Sequence, residues 1–235
     1  MPHKTLTLLR VAVIGVLVLG LSSAVAACSA ERRQQAIPPV DGAAAPGGAA
    51  GRDYSVTLRT PDNDRERQYT LFVPDRPAQR PGLFVMLHGL TQTGAKVEAK
   101  TGLDIRAGTE GNYVVYPDGL ATAWDAKICC SALKVDDVAF IDAVIASVRD
   151  EYPVDAERLA VGGVSNGAKL AYRYACYGKV PVQTIVAVVG LASAADCADP
   201  RGHHLLAING QADATVRWAQ PQDYPAYRGQ QPSAA

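Results

Sequence analysis

Charge of neither sign is in excess: lysine plus arginine number 23, and aspartate plus glutamate also number 23. A chain so balanced has no net field to draw it onto nucleic-acid phosphates or acidic lipid, which argues against both as partners. Long apolar runs are lacking too. The clearest one, Val11 to Leu21, is broken by Gly15 and Gly20 and falls short of the ~20 residues that a bilayer-spanning helix needs. Histidine is scarce. The four are His3, His88, His203 and His204, so any chemistry that needs an imidazole has few sources. What remains, 48% apolar and 20% charged residues in a chain of 235, fits one globular domain plus a short tail.

The N-terminus reads as a targeting segment. His3, Lys4 and Arg10 form a basic start, the Val11 run follows, and small residues come next, which is the pattern of a secretory signal over residues 1–27. Val25-Ala26-Ala27-Cys28 resembles a bacterial lipobox, in which Cys28 becomes the lipidated N-terminus; Ala24-Val25-Ala26 also fits ordinary small-x-small cleavage. The first reading gives an exported protein, extracellular or in the cell envelope, that meets a membrane only through its lipid anchor. Residues 28–52, with Pro38-Pro39 and the run from Gly42 to Gly48, lack the large apolar side chains that offset ordering entropy. They are expected to form a flexible tether, with the folded domain over 53–235 and its structure starting near Tyr54.

From there strand-like and helix-like segments alternate. Val56 to Arg59 and Tyr69 to Val73 suit an opening antiparallel pair, and the continuous apolar run Leu83 to Leu87 suits a buried strand. Ala95 to Gly108 carries helical spacing and stops at Gly111. Tyr113 to Tyr116 is the next strand, ended by Pro117-Asp118-Gly119. Val138 to Val148 has helical spacing, with Asp136 and Asp137 where carboxylates favour a helix start. Leu159 to Val161, Thr184 to Leu191 and Leu205 to Ile208 read as strands, and Ala168 to Tyr177 as a helix. The alternation predicts an α/β fold, a mostly parallel sheet with helices on both faces.

In such folds chemistry sits at the carboxyl ends of strands. Gly163-Val164-Ser165-Asn166-Gly167 matches the G-x-S-x-G nucleophile elbow and falls between a predicted strand and a predicted helix. Two glycines allow a turn sharp enough to project Ser165, and the following helix points its positive end at a developing oxyanion. Leu87-His88-Gly89-Leu90 closes the preceding strand, where a backbone N–H often completes an oxyanion hole. The donors are assigned to Leu90, or else Thr91, and to Asn166. The side chain of His88 is read as a loop holder. Asp213, at the end of the Leu205 strand, is the candidate triad acid, with a surface-turn aspartate as the plain alternative.

The ordered set Val85-Met86-Leu87-His88-Gly89, Tyr116-Pro117-Asp118-Gly119, Trp124 with Cys129-Cys130, Val135 to Phe140, Gly163 to Gly167, and Asn209-Gly210 with Asp213 resembles the secreted poly(3-hydroxybutyrate) depolymerase and feruloyl esterase family of α/β-hydrolases. The resemblance covers Leu83 to Arg217. It implies hydrolysis of a small ester or ester polymer by an acyl-enzyme route, with Ser165 as nucleophile, Asp213 as acid and no metal or organic cofactor.

That family places its catalytic histidine after the acid, whereas here no histidine follows Asp213. The expectation is a C-terminally truncated domain lacking the last strand and helix. His203 and His204 begin a strand whose far end carries Asp213, so they should lie at the wrong edge of the sheet. The alternative function is therefore a truncated, inactive or binding-only lipoprotein. An uncovered edge at Leu205 to Ile208 would also favour self-association.

With Cys28 set aside, Cys129, Cys130, Cys176 and Cys197 remain. An even number in an oxidising compartment allows disulfides in three pairings, and the adjacent pair is the strained one. Without a regular C-x-x-C or an accompanying histidine, zinc is discounted. Residues 117–134 are the expected pocket wall, where Trp124 offers an apolar face or packs in the core. Asp136 and Asp137 read as helix-start residues.

Overall fold

The computed structural model describes residues 42–60, 65–127, 130–131, 133–190 and 204–216. The chain divides into a unit of residues 1–33 and a unit of 34–235, and all the described residues belong to the second. The signal segment, Cys28 and residues 28–41 lie outside them, as do His3, Cys129, Cys197, His203 and residues 217–235.

In chain order the strands are β1 (Ala43–Ala44), β2 (Gly51–Arg59), β3 (Glu66–Pro74), β4 (Leu83–Leu87), β5 (Tyr113–Pro117), β6 (Leu159–Val164), β7 (Thr184–Val188) and β8 (His204–Ile208). The helices are α1 (Gly94–Thr101), α2 (Leu103–Glu110), α3 (Asp137–Glu151) and α4 (Asn166–Tyr177). One sheet holds the strands in the order β1-β2-β3-β5-β4-β6-β7-β8. β5, β4, β6, β7 and β8 run parallel. β1, β2 and β3 extend the sheet antiparallel from β5.

Side chains alternate across a strand, so a sheet covered on both faces needs apolar residues at every position. Leu83, Val85 and Leu87 of β4 and Tyr113 and Val115 of β5 pack on one face against Phe140, Ile141, Ile145, Leu170 and Tyr174 of α3 and α4. Met86, Val114 and Tyr116 pack on the other, with Val97 of α1 and Ala107 of α2. This is the helix-covered, mostly parallel sheet that the alternation predicts.

Two boundaries differ from expectation. The helix read over Ala95 to Gly108 is two helices, because Gly102 takes the left-handed conformation (φ 58°) and its N–H closes α1 on the Glu98 carbonyl at 3.0 Å. Glycine adopts that conformation without steric penalty, so an interior glycine ends one helix and lets the next begin. The sheet also starts earlier than Tyr54, within the stretch read as a tether. A turn through Pro46 to Gly48 brings Ala43 and Ala44 alongside Asp53 and Arg52, and Ala45 is buried. Ala43 and Ala44 are exposed, so pairing with β2 places them.

β8 forms the far edge of the sheet and all five of its residues are exposed, Leu205, Leu206 and Ile208 at 46%, 53% and 50%. The stability of the domain rests instead on its central strands and on α3. Truncating Ile145→Ala, at 1% exposure, is expected to lower the unfolding free energy by about 2–5 kcal/mol, read from urea denaturation. A loss well under about 1 kcal/mol, the size expected for a surface change, would contradict the packing described.

Candidate active site

β6 ends at Val164 and α4 begins at Asn166, so a single residue, Ser165, makes the turn between them. It does so at φ 54° and ψ −114°, far outside the regions open to a residue with a side chain, at a cost on the order of 1–3 kcal/mol. The Ser165 N–H donates to the Val188 carbonyl at 2.8 Å and its own carbonyl accepts from Lys169 N–H at 3.1 Å, which fixes the bend from both sides. Its hydroxyl does not cap the helix, the use a serine at this position ordinarily finds.

The two flanking glycines are required by backbone contact. A Cβ on Gly167 would fall 2.5 Å from the carbonyl oxygens of Leu87 and His88, and one on Gly163 would strike the backbone of Gly167 and Ala168. The first turn of α4 therefore lies directly against the end of β4. Gly89 sits close enough to Val164 that a Cβ there would be 3.5 Å from its carbonyl, so the loop carrying Leu90 abuts the elbow.

A buried hydrogen-bond network ties this junction to the loop after β5. The Asn166 side chain accepts from Trp124 N–H at 2.7 Å and donates to the Trp124 carbonyl at 3.0 Å. The Trp124 indole donates to the His88 carbonyl at 2.8 Å, and its ring lies 4.7 Å from the His88 ring. His88 is fully buried, and its Nε2 accepts from Gly119 N–H at 2.9 Å. Because an amide N–H can only donate, the neutral ring carries its proton on Nδ1 and gives it to the Gly89 carbonyl at 2.8 Å. Burial also holds the His88 pKa below its usual value. Both nitrogens are committed to loops, so His88 is a holder, as the sequence suggests. Trp124, also fully buried, packs in the core and offers no face to a pocket.

Arg67 was not legible as part of this site. It is 3% exposed on β3, and its guanidinium donates to Asp137 at 2.6 Å and to the Asp118 carbonyl at 3.2 Å, with its plane 3.7 Å from the Phe140 ring. Asp137 also accepts from Asp125 N–H at 2.6 Å. Asp137 is thus the anchor of a buried ion pair that pins the loop between Asp118 and Asp125, in addition to standing at the start of α3. Asp136 is the helix cap proper, accepting from Ala139 N–H at 3.0 Å. The available signal was parity: Arg67 shares the inward register of Tyr69 and Leu71.

Of the two loop N–H groups considered beside that of Asn166, that of Thr91 donates to the Thr122 carbonyl at 2.9 Å. The other is that of Leu90. Asp213 lies in the turn after β8, where its carboxylate accepts from Thr215 N–H at 2.8 Å and Val216 N–H at 2.9 Å, which keeps its pKa below the usual carboxylate value. His204 pairs with Thr184 of β7, which pairs with Ala160 of β6. Five residues at ~3.3 Å each then separate its level from Ser165, some 16 Å along the sheet. His204 is therefore at the opposite edge, as its place in the sequence implies. Non-glycine residues with positive φ recur at the same carboxyl edge: Thr91 after β4, Ala121 and Thr122 after β5, Ser165 after β6 and Val189 after β7.

Strand order and the strand–Ser165–helix turn define the fold class, that of the α/β-hydrolases. No family model matches the chain. In sequence it is similar to feruloyl esterase C of Emericella nidulans, 30% identical over 60% of this chain and 52% of that protein. It is similar also to feruloyl esterase D of Neurospora crassa, 26% identical over 77% of this chain and 66% of that one. The chain thus spans about half to two thirds of the length of these two relatives. In structure it resembles the S-formylglutathione hydrolase of Agrobacterium tumefaciens, with a TM-score of 0.62 over 82% of this chain and 87% of that one at 16% identity. A thermostable esterase gives 0.57 over 69% of this chain and 48% of that one, at 18% identity. At these identities the structures speak for the fold alone.

The elbow's contact with β4 yields a prediction with a distinctive sign. Replacing glycine by alanine in an unobstructed helix stabilises by roughly 0.5–1 kcal/mol. Gly167→Ala is expected instead to destabilise by about 1–3 kcal/mol through overpacking, measured by thermal or urea unfolding. A stabilised variant would show that α4 does not press on the Leu87 and His88 carbonyls.

Proposed function

We propose that this chain hydrolyses carboxylic esters through an acyl-enzyme on Ser165, the backbone N–H groups of Leu90 and Asn166 forming the oxyanion hole. The observation that carries the reading is the bend at φ 54° and ψ −114° between β6 and α4. It holds a hydroxyl at the positive end of a helix without using it as a cap. Ser165 Oγ would attack the ester carbonyl carbon, and the two N–H groups would take the charge that develops on its oxygen. The alcohol leaves with a proton, and water then releases the acid.

Asp213, ionised and held by two backbone N–H groups, is the acid this reading assigns. A general base must reach the Ser165 hydroxyl. Among the described residues neither His88 nor His204 does so. A hydroxyl without its base retains only the help of the oxyanion hole and of binding, on the order of 10³–10⁴ over water. The names of the sequence relatives support an aromatic acyl ester as substrate. An aromatic subsite would have to be built from residues other than Trp124, which is enclosed.

Hydrolysis of p-nitrophenyl butyrate by the chain, with and without added imidazole as a diffusible base, tests the reading. The wild type is expected to be slow and to speed up with imidazole, while Ser165→Ala stays at the rate of imidazole alone. Identical rates for the two proteins across the titration would favour the binding-only alternative.

Export, with a lipid anchor at Cys28, belongs to the same proposal. It is supported by the basic and apolar start of the sequence and by the disulfide-bonded state of Cys130 and Cys176. Self-association through β8 is supported by the exposure of Leu205, Leu206 and Ile208 on an edge strand. Light scattering after size exclusion is expected to show dimers or larger species that dissociate in Leu206→Lys. A monodisperse monomer would count against that contact.

A further inference from the structure

On the face of the sheet covered by α1 and α2, away from the elbow, three carboxyl groups meet in the interior. They belong to Asp53 of β2, Glu98 of α1 and Asp104 of α2, and one oxygen from each lies within 4.8 Å of the others. Glu98 and Asp104 are 5% and 2% exposed. The Tyr116 hydroxyl donates to Asp104 at 2.6 Å. Beyond that the carboxyls hydrogen-bond to one another, Glu98 to both Asp53 and Asp104, while Glu98 Oε1 and Asp53 Oδ1 are buried with no donor from outside the cluster. Among the described residues no lysine or arginine is ion-paired with any of the three.

Converging carboxyls in an apolar interior repel one another and cannot stay ionised unaided. Burial, and then the neighbouring carboxyls, push Glu98 up to about 9, and burial with Asp104 pushes Asp53 to about 6. The cluster must therefore carry protons or a cation. Oxygen ligands of one calcium ion, each 2.3–2.6 Å from it, stand at most about 5 Å apart. The spacing here fits that limit. The donors are all hard oxygens, with no imidazole or thiolate among them, which selects against zinc and copper.

We infer that Asp53, Glu98 and Asp104 bind a hard divalent cation of the calcium or magnesium type at a structural site that clamps α1 and α2 to β2. The Glu98 and Asp53 oxygens that no outside donor reaches supply unspent ligand capacity, and Asp104 is oriented by Tyr116. The site is structural, and its test requires no catalysis.

The test is the melting temperature of the full chain, stripped with EDTA and then titrated with Ca²⁺ and Mg²⁺ in separate series. A hundredfold excess over Kd is expected to raise Tm by about 5–10 °C. Glu98→Gln, which keeps the shape but removes a charge, should lose most of that response. Tb³⁺ emission excited through tyrosine gives a second readout, expected to weaken at least about tenfold in apparent affinity in Glu98→Gln and in Asp104→Asn. Wild-type protein indifferent to both ions and to Tb³⁺ would overturn the site and leave the carboxyls sharing protons. So would an equal response in the variants.

Discussion

The close approach of the first turn of α4 to the end of β4 is the constraint on which the rest of the site depends. It is possible because residues 163 and 167 have no side chains, and it leaves Ser165 no ordinary backbone conformation to adopt. Strain on the order of 1–3 kcal/mol is stored there. The backbone bonds at Val188 and Lys169, and the Asn166 amide clasped to both backbone groups of Trp124, hold the bend against relaxation. The side chain of the residue that follows Ser165 thus secures the loop after β5.

Around this junction, polar residues act as loop holders. His88 joins the β4 loop to the β5 loop through both ring nitrogens, and Trp124 covers it while donating to its carbonyl. Arg67 and Asp137 anchor the same loop from β3 and α3. Buried charge pairs of this kind add little net stability, yet removing one member is costly because the other is left uncompensated. Their effect here is to fix where the loop backbone goes, which is what an oxyanion site needs.

Much of this was legible in the sequence. The apolar run of β4, the G-x-S-x-G pentad between a strand and a helix, and the turn after β5 gave the sheet and the elbow, because each signal is local. His88 read correctly as a loop holder for the same reason. The readings that failed or stayed open depended on partners distant in sequence. Gly102 looked like one more residue of a helix until its left-handed conformation divided α1 from α2. Ala43 and Ala44, too small to announce a strand, are placed by pairing with β2. Trp124 stood equally for pocket or core until its burial decided it. The pairing of Arg67 with Asp137 and the Asp53, Glu98 and Asp104 cluster are invisible to any local rule, since their members lie on separate elements.

Reaction with a fluorophosphonate, mapped by mass spectrometry on folded and urea-unfolded chain, addresses the bend most directly. A hydroxyl projected beside the helix N-terminus should give one adduct, on Ser165, slowly formed in the folded protein and abolished by unfolding. An adduct on another serine, or one on Ser165 that forms equally fast in the unfolded chain, would show that the turn confers no reactivity.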